Sequence, residues 1–293
     1  MMTPTDDFIT RIQATLQDAN VPPWLPDLTP ALVAAGWRKL GRDLRLTRSS
    51  YGTARVLSRG PEETRWLVKS LDTPSHYDVK YDSIQIELLS QAITRQWSSP
   101  GFRFFGAQEI QRGGVTDQVE EAIELLDSVP TMLATVCSLI RSLHLLETSD
   151  AQVDVSFSEP NMPFSAFISV PGPDVQDGPF RVAEAMLHEA MHLQLTLIEG
   201  FVPLVEPTVR TYLSPWRSDY RTPLGVLHAL YVFRVIDAFF GEILTDGPAS
   251  ESLRCHAFNR RAEIAQQIES IRDFRECPNL TDTGTAFVSR MLG

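Results

Sequence analysis

The chain has 293 residues, of which 43% are hydrophobic and 22% are charged, as is typical of a globular protein with a substantial core. Its formal net charge of −11 argues against a general binder of nucleic acids or anionic membranes. No continuous apolar run approaches the roughly 20 residues of a membrane span. The first residues also lack the basic and then apolar pattern of a signal peptide. We therefore expect a cytoplasmic protein with no nucleic-acid or membrane partner.

The first third of the chain contains two helical patterns and one basic stretch. Apolar residues recur at helical spacing between Phe8 and Leu16, and a Thr-Pro pair at 29–30 is typical of a helix start. Between Arg38 and Arg59, basic residues accompany a single acid, Asp43. This basic stretch could dock an acidic partner or peptide, or it could be an ordinary solvated surface.

Two helices and a β-hairpin are predicted next. The helices are expected over Asp117–Asp127 and Pro130–Glu147, and the second would contain His144 as a packed or capping residue. Polar and apolar residues alternate over 153–158, and an apolar run follows over 164–170 after a turn. This pattern predicts two antiparallel strands.

Three further helical patterns complete the chain. One covers Arg181–Ile198 and is apolar around most of its circumference, one begins at a Thr-Pro cap and covers 222–244, and one carries the apolar residues of 253–271. These elements predict a mainly helical α+β fold, with a metal site between two long helices beside a small β-sheet or hairpin. We predict two domains. Residues 1–115 would form a helical or mixed region, with peptide recognition as one interpretation, and residues 116–293 would form a metal-binding catalytic domain.

The apolar helix over 181–198 contains an H-E-x-x-H motif, formed by His188, Glu189 and His192. Histidines four residues apart lie on one helical face, so two imidazoles can bind one metal ion while the glutamate leans over an open coordination position. The expected chance of such a match in a chain with six histidines is about 0.015. The motif therefore predicts a metal site.

A third ligand is needed, and His228 is the strongest candidate. The arrangement with a third histidine six residues after the second is excluded, because that position is Ile198. His228 lies on the helix that follows, and Gly225, one turn earlier, is expected to let this helix approach closely. The weaker candidates are carboxylates: Glu199, Glu206, Asp237 and Glu242.

Two arginines precede the His228 helix. Arg217 and Arg221 are four residues apart and are flanked by aromatic residues, a pattern that suits a bidentate clamp for a carboxylate. The alternative is a surface loop in which one of them pairs with Asp219.

Taken together, these residues resemble a family of bacterial H-E-x-x-H proteins that modify ribosomally made peptides, described as 2-oxoglutarate-dependent peptide β-hydroxylases. The resemblance covers roughly residues 130–245. It rests on the run 142–146, the hairpin segment 163–167, the motif 188–192, and the stretch from Ser214-Pro215-Trp216-Arg217 through Arg221 to His228.

The resemblance implies an Fe(II) site held by His188, His192 and His228, with 2-oxoglutarate and dioxygen as cosubstrates. Arg217 or Arg221 would bind the distal carboxylate of 2-oxoglutarate. Glu189 would orient the substrate, a histidine or a water, or would replace His228 as a carboxylate ligand. The partner would be a precursor peptide that is hydroxylated at a side-chain β-carbon during natural-product maturation. Such a peptide could add as an edge strand along 165–170.

Two other functions fit the motif. The first is a zinc metallopeptidase with Glu189 as general base and His228 or Glu206 as the third ligand. The second is a scaffold protein in which the metal is structural. The sequence does not predict the peptide substrate or the oligomeric state.

Overall fold

The computed structural model contains two compact units, one of residues 1–32 and 191–293 and one of residues 33–190. The parts of the chain that the structure describes are 4–36, 55–58, 67–70, 84–89, 94–95, 101–111, 114–150, 152–159, 162, 164–175, 177–246 and 250–293. Most of the basic stretch between Arg38 and Arg59 lies outside these residues. The domain boundary expected at residue 115 lies inside the second unit and stays a prediction.

The described part of the second unit contains a mixed β-sheet and several short helices. Its strands are β1 (Arg55–Ser58), β2 (Leu67–Ser70), β3 (Gln85–Leu88), β4 (Phe102–Phe104), β5 (Ser142–Thr148), β6 (Ser156–Phe157) and β7 (Ser165–Ser169). They lie in the order β2-β1-β3-β5-β7-β6, and β4 pairs with the second half of β5. The central strand β5 runs parallel to both β3 and β7. The helices are α1 (Pro4–Gln17) in the first unit, then α2 (Ala107–Gln111), α3 (Val115–Asp127) and α4 (Pro130–Leu139) in the second.

The helix expected over Pro130–Glu147 is wrong in its second half. Helix α4 ends at Leu139, and Ser142–Thr148 form strand β5. Residues 142–146 are all buried in the sheet, and the three leucines of this short segment, at 143, 145 and 146, fit a buried strand as well as a buried helix. His144 is therefore a strand residue, and its ring stacks on Phe167 with the centroids 4.4 Å apart.

The predicted β-hairpin is confirmed, because β6 pairs with β7 in antiparallel register. Strand β6 is only two residues long, shorter than the alternating pattern suggested. Strand β7 also pairs with β5 on its other side. It is therefore not an edge strand, and a peptide added along 165–170 would have to displace a neighbouring strand.

The first unit is mostly helical. After α5 (Gly178–Glu199), which begins in the second unit, come the strands β8 (Tyr212–Ser214) and β9 (Asp219–Arg221), then α6 (Pro223–Asp246), α7 (Glu251–Glu269), a 3-10 turn (Arg272–Glu276) and α8 (Asp282–Leu292). The three long predicted helices are thus confirmed. The segment expected to be irregular contains the β8–β9 hairpin, and the expected short tail contains α8. The mainly helical α+β class is confirmed, whereas the metal site stays a prediction.

Helix α6 is long and apolar enough to cross a membrane by length and composition alone. The apolar span covers the 23 residues 223–245, and its most apolar part has a mean hydropathy of 1.5 and is 56% buried inside the protein. The core helix of a globular protein has the same composition. The expected absence of a membrane partner and the cytoplasmic location stay predictions.

A buried polar network joins α5 and α6 to the N-terminal segment. The hydroxyl of Tyr231 donates to Oε1 of Gln194, and Nε2 of Gln194 donates to the carbonyl of Trp24 at 3.0 Å and to Oγ1 of Thr29 at 2.5 Å. Gln194 and Tyr231 are fully buried. Burial raises the pKa of Tyr231, so its hydroxyl stays protonated and donates. Every polar atom of the Gln194 amide therefore has a partner.

The start of α8 packs directly on backbone of the segment after α5. The amide of Thr281 donates to the carbonyl oxygen of Leu204 at 3.1 Å, and the Thr281 hydroxyl caps the helix by accepting from the amide of Gly284. A Cβ at Gly284 would lie 2.0 Å from the same Leu204 oxygen. Only glycine fits at this position, because the neighbour is backbone and cannot move aside.

We expect Tyr231→Phe to lower the free energy of unfolding by about 1–3 kcal/mol, since it leaves the buried Gln194 oxygen without its donor. The matched control is Tyr220→Phe, because Tyr220 is 72% exposed. Urea denaturation followed by circular dichroism measures both. Equal stability of the two variants would contradict the role of the network.

We expect Gly284→Ala to destabilise the protein by about 1–3 kcal/mol through its clash with Leu204, although alanine is the better helix former. The control is Gly172→Ala, where an added Cβ meets no atom within 4 Å. That variant should unfold within about 0.5 kcal/mol of the parent protein. A Gly284→Ala protein as stable as the control would show that the backbone contact relaxes at no cost.

Candidate metal centre

The H-E-x-x-H motif lies on helix α5 among buried apolar residues. The neighbours of the motif, Ala190 and Met191, are fully buried, and Glu189 is only 3% exposed. His188 and His192 are half-buried, and their spacing of four residues puts them on one face of the helix. Two histidines and a glutamate are costly to bury in such surroundings without partners, so their presence requires compensating contacts.

His228 of α6 faces His192 of α5. Their Nδ1 atoms are 3.1 Å apart, and the rings are nearly parallel, with an interplanar angle of 19° and centroids 5.3 Å apart. The two histidines are separated by 36 positions in the chain and come from different helices. The structure therefore joins two of the three predicted metal ligands.

Glu199, the last residue of α5, contacts the other nitrogen of His228. Its Oε2 lies 3.0 Å from His228 Nε2, and the side chains of His228 and Glu199 are only 15% and 18% exposed. An ionised carboxylate can only accept, so Nε2 of His228 carries the proton and donates. Nδ1 of His228 faces Nδ1 of His192, and one of these two nitrogens carries the proton of their hydrogen bond. Glu199 thus fixes the orientation of the His228 ring.

This arrangement fits two neighbouring ligands of one metal ion. Both nitrogens belong to imidazole rings, which are common ligands of zinc and iron. A histidine ligand that donates its second ring N–H to a carboxylate is also the usual arrangement in metal sites. Among the side chains that the structure describes, no group of three or more His, Cys, Asp or Glu residues is gathered to hold an ion. His188 lies one turn before His192 on α5, and its place in the ligand set stays a prediction.

The close approach expected at Gly225 is wrong. The atoms nearest to a Cβ built there belong to Arg221 and Thr222, in the turn that precedes the glycine on its own chain. The amide of Gly225 is instead part of the helix start, where it donates to the Thr222 hydroxyl at 3.3 Å. The predicted Thr-Pro cap of this helix is therefore confirmed, but Gly225 makes no room for α5.

The two predicted clamp arginines lie on the β8–β9 hairpin and are both exposed. Arg221 is held by Asp219: its Nε lies 2.9 and 3.0 Å from the two carboxylate oxygens, and its Nη2 lies 2.8 Å from one of them. The hydrogen bond from Arg221 lowers the pKa of Asp219, and the charge of Arg217 lowers it further. The Arg221–Asp219 pair, expected as the alternative to a clamp, is thus confirmed. The role of either arginine in binding a carboxylate stays a prediction.

The other candidate carboxylates do not contact His228 in the way that Glu199 does. Glu206 and Glu242 are exposed, and Asp237 is held by Arg234 and Arg261 at 2.7 and 2.8 Å. The sequence pattern ends the predicted helix at Ile198, one residue before Glu199, and therefore does not predict the contact of Glu199 with His228. The spacing of Glu199, seven residues after His192, would have indicated the shared helix face.

No protein-family model matches this chain, and no curated protein matches it.

We expect Glu199→Ala to weaken the binding of Co(II) about 10- to 100-fold, because the His228 ring loses the partner that orients it. Glu242→Ala, at an exposed position of α6, is the matched control and should bind like the parent protein. Competition with a chromophoric chelator measures the affinities, and circular dichroism checks the fold. Unchanged affinity in Glu199→Ala would contradict the assignment of Glu199 to the centre.

Proposed function

We propose that this protein is an Fe(II)- and 2-oxoglutarate-dependent dioxygenase that hydroxylates the β-carbon of a side chain in a ribosomally synthesised peptide. The observation that carries the proposal is the contact of His192 with His228, backed by Glu199. It brings a histidine of the second long helix to the H-E-x-x-H motif. The choice of iron and 2-oxoglutarate comes from the family resemblance, because imidazole ligands suit iron and zinc alike.

In this proposal His188, His192 and His228 would hold the iron, and Glu199 orients the His228 ring through its contact with Nε2. When bound, Fe(II) with 2-oxoglutarate supplies the activation of dioxygen for hydroxylation, with succinate and carbon dioxide as the other products. Glu189, buried beside His188, positions a histidine or a water and is not needed as a general base. The apolar residues around the motif exclude bulk water.

Arg217 is the arginine that we assign to the distal carboxylate of 2-oxoglutarate. Arg221 already donates to both oxygens of Asp219, so recruiting it would break an existing ion pair. Arg217 is exposed at the turn of the same hairpin. Its charge lowers the pKa of Asp219, but it takes no part in the hydrogen bonds that hold this carboxylate. A planar guanidinium binds a carboxylate through two parallel hydrogen bonds, which suits this role.

A zinc metallopeptidase is the second candidate, and the Arg221–Asp219 pair is the observation that favours it. That pair occupies one of the two arginines from which the oxygenase hypothesis started. In the peptidase, Glu189 acts as the general base toward a metal-bound water, and His228 completes the ligand set.

We expect Fe(II) and 2-oxoglutarate, added without oxygen, to give a saturable visible charge-transfer band. His192→Ala and His228→Ala should abolish the band, since each removes a ligand. Arg217→Ala should weaken the affinity for 2-oxoglutarate about 10- to 100-fold, the effect of losing a charged hydrogen bond. The titration is followed by absorbance, with the exposed Arg254→Ala as the matched control.

Two results would reject the oxygenase. One is the absence of the band in a protein that purifies with tightly bound zinc. The other is an undiminished band in a protein that carries both Arg217→Ala and Arg221→Ala. Peptide-bond hydrolysis that is lost in Glu189→Gln would then identify the peptidase.

A further inference from the structure

A histidine and a glutamate meet inside the mixed β-sheet, and neither has a role in the proposed function. His144 of β5 is 1% exposed, and Glu87 of β3 is 5% exposed. Nδ1 of His144 lies 3.1 Å from the backbone carbonyl oxygen of Glu87, and Nε2 lies 3.7 Å from its side-chain Oε2. Both nitrogens of the ring therefore face oxygen atoms of one residue. Because buried titratable groups are costly, the distribution of protons within this pair matters for the stability of the sheet.

The pair belongs to a row of side chains that crosses the sheet. The parallel pairing of β3 with β5 brings Glu87 next to His144. His144 is directly opposite Phe167 of β7, and Phe167 is directly opposite Phe157 of β6. The three rings are stacked, with centroids 4.4 Å apart for His144 and Phe167 and 4.6 Å apart for Phe167 and Phe157. One face of the imidazole is therefore covered by phenyl rings.

The contacts of the ring indicate how many protons the pair holds. A backbone carbonyl can only accept a hydrogen bond, so Nδ1 of His144 carries a proton. If Nε2 carried none, its lone pair would face an ionised carboxylate, and the pair would leave a net negative charge inside the sheet. A proton on Nε2 makes an ion pair with Glu87 instead. Opposite charges 3.7 Å apart attract strongly where water is excluded.

The other charged groups of the described strands were placed by the same register. Arg103 of β4 is opposite Glu147 of β5 and contacts it, and Glu147 projects from the side of the sheet opposite to His144, because the two residues are three positions apart on β5. Beyond Glu87, the row continues through Val56 of β1 to Lys69 of β2, two strands away. Lys69 is thus the further titratable residue of this row, and its contribution has to be separated from that of His144.

We propose that Glu87 and His144 form a pH-sensitive contact between β3 and β5, in which the folded sheet keeps a proton that the unfolded chain releases in neutral and alkaline solution. This inference concerns the second unit and requires no metal.

The direction of the pH effect follows from counting protons. Between the ordinary pKa values of glutamate and histidine, about 4.3 and 6.5, the unfolded chain holds an imidazolium and a carboxylate, as the folded pair does. Folding then exchanges no proton at the pair. Above about pH 6.5 the unfolded histidine loses its proton while the folded pair keeps it, so the pair's contribution to stability falls as the pH rises. The unfolding constant should increase by up to about tenfold per pH unit.

The test compares the full-length protein with a variant that carries both Glu87→Gln and His144→Gln, so that neither position titrates. Urea denaturation between about pH 6 and 9, without added metal, gives the unfolding constant of each protein. Above about pH 6.5 we expect the constant of the parent to rise relative to that of the double variant by up to about tenfold per pH unit. Lys69→Met is the matched control, because it removes a charge from the same row, and it should keep the pH dependence of the parent.

Two results of this comparison would overturn the proposal. One is a ratio of the two unfolding constants that stays the same across the pH range. The other is loss of the pH dependence in Lys69→Met, which would assign the effect to the lysine.

Nitrogen-15 NMR of the parent protein keeps the test decisive if the double variant does not fold. The His144 ring is identified by its nuclear Overhauser contacts with Phe167, on which it stacks. We expect both of its nitrogens to carry protons at about pH 7.5, where an ordinary histidine is mostly neutral. A neutral His144 ring at this pH would overturn the proposal.

Discussion

The pairing of α5 with α6 through buried polar side chains is the constraint on which the candidate centre depends. Gln194 of α5 requires Tyr231 of α6, because an amide in a fully buried position is costly without partners. His192 and Glu199 of α5 contact His228, one turn earlier on α6. All these contacts form together in a single register of the two helices. A shift of either helix along its axis would leave several buried polar groups without partners.

The same constraint orders the candidate centre without any ion. The residues that would bind the ion are located by contacts that also hold the fold, so their geometry does not depend on the ion itself. Glu199 also orients the His228 ring, because it contacts the ring nitrogen that faces away from His192. Preorganisation of this kind lowers the cost of ordering the ligands when an ion binds.

The segment between α5 and α6 carries both arginines considered for the proposed function. Arg221 is paired with Asp219, whereas Arg217, at the turn of the hairpin, is the one that we assign to the cosubstrate. This segment leads directly into α6, the helix of His228, so the assigned arginine and the candidate ligand belong to one continuous stretch of chain.

The sequence by itself determined the elements whose pattern is local. The motif helix and the Thr-Pro cap of α6 follow from helical periodicity and capping chemistry, which depend on neighbours a few residues away. The meeting of His228 with His192 could be anticipated because metal chemistry required a partner for the motif. Tertiary structure decided what depends on distant neighbours. It made a strand of 142–148, because β3 and β7 supply its hydrogen bonds. It also brought Glu199 into contact with His228 and Asp219 into contact with Arg221. Only the packing of the chain determines which carboxylate comes within hydrogen-bonding distance of each of these residues.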